Sequence, residues 1–452
     1  MRKKAVYVPV LGLCLNLLWL CGCGSPAEPV GFPATGESPG IESSYEDESV
    51  TSPVSFDETK EESKVSPGSF SETREESSAA PEEVSERQED GFDSDSQVSE
   101  APWEESEQQE SAGSFADRDC YAYSYQFLSE PEKVWYQNIL DILGAFRTGV
   151  KLDAGPLSKG CDEETLKKVF QCVMDDHPEL FYVEAFNYTK YTRGAVTTGF
   201  TFSGCYTISD TEAALRKQEI DDAAEQILSG IPEDADQYEK TEYVYETIIR
   251  NTVYDMAAPD NQSIYSVLVN HSSVCLGYAR TVQYLLNKMG VNCAVVLGST
   301  DTNQRHAWNL AEIDGAFYYL DATWGDGNPQ TADENAVEMI YDYLNLTTAE
   351  LEQTHVPNGE TPLPVCDSRE ANYYTRHGAL FSSYDEEQLE RLLGSEEDMV
   401  TLKCLTADCY EEMKNKLISE GALFQFLPDS GKKVTYTQND ALMILTFWMT
   451  NS

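Results

Sequence analysis

Basic residues are scarce in this chain: Lys and Arg number 31 against 79 Asp and Glu, and the formal net charge is −48. That balance argues against nucleic acid as a partner, because binding to phosphates runs on basic patches that release counterions. Histidine is sparser still, at 5, and no two cysteines stand in a C-x-x-C spacing. A structural zinc site lacks its usual ligands, and neither metal nor cofactor is expected. Long apolar runs are missing outside the first twenty residues; the run 441–449 is about half of the ~20 residues a membrane span needs and reads as a buried strand. Aliphatic side chains are also thin between residues 24 and 118, which are mostly Ser, Glu, Pro, Gly and Asp. Such a stretch cannot offset the entropy of ordering itself, so residues 23–118 are expected to be a disordered acidic tether. Within it, SPVSFDETKEES from Ser52 returns as SPGSFSETREES from Ser66, a duplication that lengthens a spacer without touching a core.

What the sequence does contain begins with Arg2, Lys3 and Lys4 ahead of an apolar run over residues 5–20, the charged and hydrophobic regions of an export signal. Leu20-Cys21-Gly22-Cys23 ends it and resembles the bacterial lipobox. The resemblance implies a lipoprotein signal peptide over residues 1–22, a diacylated Cys23 as the mature N-terminus, and an extracytoplasmic chain lipid-anchored to the cell membrane. Setting those cysteines aside leaves Cys120, Cys161, Cys172, Cys205, Cys275, Cys293, Cys366, Cys404 and Cys409, an odd number. Disulfides persist outside the cytoplasm, so several of these are expected to pair, with Cys404–Cys409 the nearest candidate bridge and Cys275 left free.

Periodicity begins near Cys120. Ser129 and Pro131 open a helix with Trp135, Ile139, Ile142, Leu143 and Phe146 on one stripe, and a second helix from about Asp162 carries Leu166, Val169, Phe170 and Val173. Strand-like runs over 180–188 and 196–202 follow, then helical spacing again, so residues 119–230 read as a small α+β module. The core is expected over residues 231–346. There a helix over about 236–249 precedes another that opens at Cys275, presents Tyr278, Val282, Leu285 and Met289, and stops at Gly290. A strand over 291–297 precedes two strand-like runs, 306–313 and 316–320, joined by Asp314-Gly315, the strongest short hairpin signal. From residue 347 to 452 a short helix around 349–355, a strand near 400–405, a helix around 411–419 and a last strand-rich run predict a C-terminal α+β extension.

The hairpin places chemistry. If Asp314-Gly315 is a two-residue turn, Ile313 faces Ala316, Trp308 faces Asp321 and His306 faces Thr323. Side chains alternate along strands, so His306 and Asp321 share a face as diagonal neighbours about 7–8 Å apart at the backbone. Cys275, at the predicted first turn of its helix, lies where unpaired N–H groups and the positive end of the helix dipole favour thiolate over a thiol of pKa about 8.5. These are the parts of an acyl-transfer site: Cys275 as nucleophile, His306 as acid and base, and Asp321 fixing the tautomer of His306.

The segments Val274-Cys275-Leu276-Gly277-Tyr278-Ala279, His306-Ala307-Trp308-Asn309 and Leu320-Asp321-Ala322-Thr323-Trp324-Gly325-Asp326 resemble, in order and spacing, the core motifs of the bacterial transglutaminase-like superfamily. The resemblance covers about residues 236–346, and implies a papain-like core in which a Cys-bearing helix packs on an antiparallel sheet bearing His and Asp. It implies the Cys275, His306 and Asp321 roles argued above. Leu276 stands where many relatives have Gln, which leaves oxyanion assistance to the Cys275 backbone N–H and a donor the sequence does not identify. Trp308 and Trp324 read as walls of the site, with substrate contact a secondary role.

Two functions remain open. One is a surface thiol enzyme acting on amide bonds of peptides or proteins, cell-wall peptide stems among them, with hydrolysis favoured slightly over transfer to an amine. The other is a non-catalytic binding module that keeps the fold.

Overall fold

The computed structural model describes residues 2–9, 30–32, 121–327, 339–359, 361–395, 397–427 and 432–451. Cys23, Cys120, residues 10–22 of the expected signal and residues 33–118 of the expected tether lie outside the described residues. The described chain is α+β.

In the N-terminal module, Ser129 caps the helix Glu130–Gly144: Glu132 reaches back to the Ser129 N–H at 2.7 Å, and Pro131 occupies the first turn, where no N–H is needed. Asp162 caps Glu163–Asp176 by accepting from the Thr165 N–H at 3.0 Å. The apolar stripes of both helices are buried against a hairpin of Val183–Arg193 and Val196–Tyr206, longer than the runs expected from sequence. Arg2–Pro9, in the stretch that reads as an export signal, pairs antiparallel along Val183–Arg193. The next helix, Asp210–Leu228, starts in this module but buries Ile220 and Ala224 in the core that follows.

The core has a four-stranded antiparallel sheet in the order Ala316–Leu320, Arg305–Ile313, Cys293–Thr300, His355–Pro357. Asp314 (φ 51°) and Gly315 (φ 82°) make the two-residue turn, and Ile313 faces Ala316. The helix Cys275–Lys288 packs on one face, burying Tyr278, Val282, Leu285 and Leu286 with Val244, Tyr245 and Ile248 of Gln237–Asn251. Gly290 (φ 78°) ends it as expected, and the Val291 N–H closes the turn on Leu286 O at 2.9 Å. Alternation sends Ala311 and Ile313 to the helix face but Trp308 and Leu310 to the other, where they meet Tyr374, Leu442 and Ile444 of the C-terminal part.

Two expectations are corrected. The helix expected over 349–355 is only Thr348–Leu351; Val356 precedes Pro357, a position that disfavours helix, and His355 instead pairs with Thr300, so the core sheet draws its fourth strand from beyond residue 346. Cys404 and Cys409 are not bridged: all eight described cysteines are free, both of these are buried, and the Cys409 thiol donates to Phe381 O at 3.7 Å. The rest of the C-terminal part is a sheet in which Met399–Cys404 and Lys432–Asn439 flank Ile444–Asn451 antiparallel, under the helices Glu386–Leu393 and Ala407–Lys414. Among the described residues, no helix is long and apolar enough to cross a membrane.

Candidate active site

Cys275 is the first residue of its helix, partly exposed, with Val274 as the cap. The cap is held from outside: the Val274 N–H donates to Asn261 O at 3.0 Å, and its carbonyl accepts from the N–H groups of Gly277 and Tyr278 at 2.9 and 3.1 Å. Beneath the first turn, the buried Ser273 hydroxyl lies 2.6 Å from Asn261 O and 2.7 Å from Ser266 Oγ. A Cβ on Gly277 would stand 2.0 Å from Ser273 Oγ and 3.0 Å from Asn261 O, so this glycine is a matter of space and not of φ. Asn309 ties helix to sheet, its Nδ2 donating to Ala279 O at 2.8 Å and approaching Ala294 O at 3.3 Å.

His306, on the strand Arg305–Ile313, has a buried side chain. Its Nε2 lies 2.6 Å from Asp321 Oδ2, and Cys275 is close enough to act on its charge. The strand ladder stops three residues short of what the hairpin register predicts: Leu320 pairs with Asn309, but the pairs Trp308–Asp321 and His306–Thr323 do not form. The chain leaves the sheet there by turning: Asp321 O accepts from the Gly325 N–H at 3.1 Å, and Oδ1 caps the turn by accepting from Thr323 N at 2.9 Å and Trp324 N at 3.2 Å. His306 and Asp321 nonetheless meet, because side-chain reach spans what the ladder does not.

A second imidazole, which the sequence reading missed, completes the group. His355 Nε2 lies 3.2 Å from the same Asp321 Oδ2, and its side chain is fully buried. It escaped notice because its segment read as helix, and no local motif surrounds it. Trp308 is fully buried and packs edge-on to His355, with ring centroids 4.8 Å apart, so its part is packing. Trp324 is half-buried and covers both imidazoles, with centroids 5.6 Å from His306 and 4.6 Å from His355.

Burial alone would drive the His306 proton off, yet the Asp321 carboxylate and its hydrogen bond outweigh this, with a smaller push from Cys275, and the imidazole is pushed up to about 10. Burial would likewise raise Asp321, but His306 and then His355 hold it well below the usual carboxylate range. Among the described residues His306, Asp321 and His355 are the one group of donors close enough to suggest a metal. The donor spacing argues against that: ligands at about 2.0–2.2 Å from one ion stand about 3 Å or more apart, whereas His306 and Asp321 are at 2.6 Å, a hydrogen bond.

Residues 222–322, which contain Cys275, His306 and Asp321, match the model of the transglutaminase-like superfamily, so the chain carries a transglutaminase-like domain there. No curated protein matches the chain. Solved structures similar to it include a TGase (14% identity, TM-score 0.23, 30% of this chain and 43% of that one). A proposed cysteine protease from Cytophaga hutchinsonii is similar at 14% identity and TM-score 0.21, over 34% of this chain and 65% of that one. A proposed protease from Parabacteroides distasonis is similar at 12% identity and TM-score 0.20, over 58% and 61%. The chain spans less than two thirds of the length of each.

Proposed function

We propose that this domain is a thiol enzyme that opens amide bonds of peptides or proteins through a Cys275 thioester. The observation that carries the reading is an imidazole fixed at 2.6 Å by a buried carboxylate and close to a thiol at a helix start. The sulfur attacks the carbonyl carbon, and the helix N-terminus supplies N–H groups for the developing oxyanion, that of Cys275 first. His306, held protonated by Asp321, gives its proton to the departing amine nitrogen as the C–N bond breaks. Water then attacks the thioester, His306 takes a proton from it, and the acid leaves as the thiol–imidazole pair is restored. Water is preferred to an amine because Cys275 is partly exposed and Trp324 half-buried, which leaves the thioester within reach of solvent.

The test uses a glutamine-containing peptide, a wall peptide stem and a labelled primary amine, with wild type beside Cys275→Ala. Cleavage or deamidation by wild type alone supports hydrolysis, and incorporation of label reassigns the domain to amine transfer. No turnover of any of them, together with an iodoacetamide-inert Cys275, makes it a binding module. The same proposal places the domain outside the cytoplasm, anchored through a diacylated Cys23, with substrates at the cell surface. Labelling with a palmitate analogue checks this: Cys23→Ser should abolish the label, and full labelling of that variant would refute the anchor.

A further inference from the structure

The Asp321 carboxylate is shared by two imidazoles, and only one of them has a part in the chemistry above. His355 lies outside the family-matched residues 222–322, on a strand after a different stretch of chain. We propose that His355 is a positioning residue, whose Nε2–H clamps the Asp321 carboxylate in the orientation that serves His306 and shares out its charge. The inference rests on the reading of Cys275, His306 and Asp321 as one catalytic unit.

An ionised carboxylate only accepts, with roughly four lone-pair sites. On Asp321, Oδ1 takes the N–H groups of Thr323 and Trp324 while Oδ2 takes His306 at 2.6 Å and His355 at 3.2 Å. Every site is used, so the carboxylate has no alternative orientation of equal energy. The proton of His355 is placed by the carboxylate itself: Nε2 lies 3.2 Å from an oxygen that only accepts, so the imidazole hydrogen is there, while Thr354 Oγ1 holds Nδ1 from behind at 2.8 Å. The ring cannot turn away, being wedged between Trp308 and Trp324 at 4.8 and 4.6 Å with Tyr343 at 5.9 Å. A histidine that merely filled space would need neither the hydroxyl behind it nor a nitrogen aimed at the carboxylate.

The titratable groups turned toward this carboxylate are His306 and Cys275, His355, Tyr343 and the buried Tyr245. Of these, His355 is the second imidazole donor, its side chain fully buried. A second donor drains charge from the carboxylate, so His306 is held protonated less tightly than Asp321 alone would hold it. A proton too tightly held is a poor general acid.

The experiment uses the full chain with His355→Phe, which keeps the ring and loses the donor, and His355→Gln, whose amide N–H reaches about as far as Nε2. The readouts are the His306 ring titration by NMR, the pH dependence of Cys275 alkylation by iodoacetamide, and peptide turnover. His355→Phe should move the His306 titration and the alkaline limb upward by about one pH unit and lower kcat roughly tenfold to a hundredfold with KM little changed. His355→Gln should keep both close to wild type. An unmoved His306 titration in His355→Phe, whatever its melting temperature, makes His355 a space filler and overturns the inference. Should that variant not fold, Thr354→Val removes the hydroxyl that holds His355 Nδ1 from behind and should give a smaller shift in the same direction; no shift there is equally fatal. The two readings fail separately. A shifted titration in a protein that turns over nothing leaves the clamp standing and sinks the enzyme, while an active wild type with an unmoved titration does the reverse.

Discussion

Substituting Gly277 by Ala sets two effects of opposite sign against each other. Helix propensity favours the change by about 1 kcal/mol at an interior position. Space opposes it: the new methyl would stand 2.0 Å from Ser273 Oγ, 3.0 Å from Asn261 O and 3.2 Å from Ser263 O. Against an ordinary contact of about 3.5 Å, the overlap with the hydroxyl is roughly 1.5 Å. Ser273 is fully buried and bonded to Asn261 O and Ser266 Oγ, so moving it strands polar groups at about 1–3 kcal/mol. The two carbonyls are backbone and yield less. If instead the helix start lifts, Cys275 moves off His306, and a displacement of about 1 Å costs up to about a hundredfold in rate. Gly277→Ala should therefore melt lower than wild type by a net ~1–2 kcal/mol, with slower Cys275 alkylation. Adding Ser273→Ala removes the worst contact, so the double variant should lose less than the sum of the singles. A Gly277→Ala protein that melts at or above wild type with unchanged alkylation would show that the helix start has room the structure does not reveal, and the reasoning would fail.

Other consequences are equally direct. Asp321→Asn should lower turnover by roughly 10³–10⁴-fold with the fold retained, because an amide group cannot accept four donors and lets His306 take the wrong tautomer; activity within tenfold of wild type would count against the dyad. Since His306 is raised to about 10 from its ordinary 6.5, its stabilising pairing is fully present below 6.5 and is lost as pH climbs through 10. The melting-temperature gap between wild type and His306→Gln should thus narrow from pH 6.5 to 10, and the alkaline limb of turnover should lie nearer 10 than 6.5. Asn309→Leu removes the donor that Ala279 O and Ala294 O share, and should cost about 1–3 kcal/mol in urea melts while slowing Cys275 alkylation.

Much of the core was legible because its signals are local. Asp314-Gly315 fixed the hairpin turn, Gly290 the helix stop, and the order of the three motifs the helix that carries Cys275, the strand that carries His306 and the strand end that Asp321 follows. The ladder pairs expected at Trp308 and His306 are absent because the chain turns away at Asp321, whose carboxylate caps Thr323 N and Trp324 N. What else escaped depends on distant chain. His355 was read into a helix because Thr347 does open one; its end is set by pairing with Thr300, which no nearby residue announces. Cysteine parity misled because it counts thiols and says nothing of burial, and Cys404 and Cys409 are buried as small free thiols, Cys409 bonded to Phe381 O.

The strand His355–Pro357 also decides where this domain can be cut. A fragment trimmed to the family-matched residues 222–322, or ended at residue 346, keeps all three groups of the proposed triad but leaves Cys293–Thr300 as an open edge, its outward N–H and C=O groups unpaired. Such an edge recruits other chains, so a fragment of this kind should associate or precipitate where the longer protein stays dispersed. The smallest piece worth expressing therefore runs past Pro357, and an inactive shorter one would report on its missing strand before it reported on its chemistry.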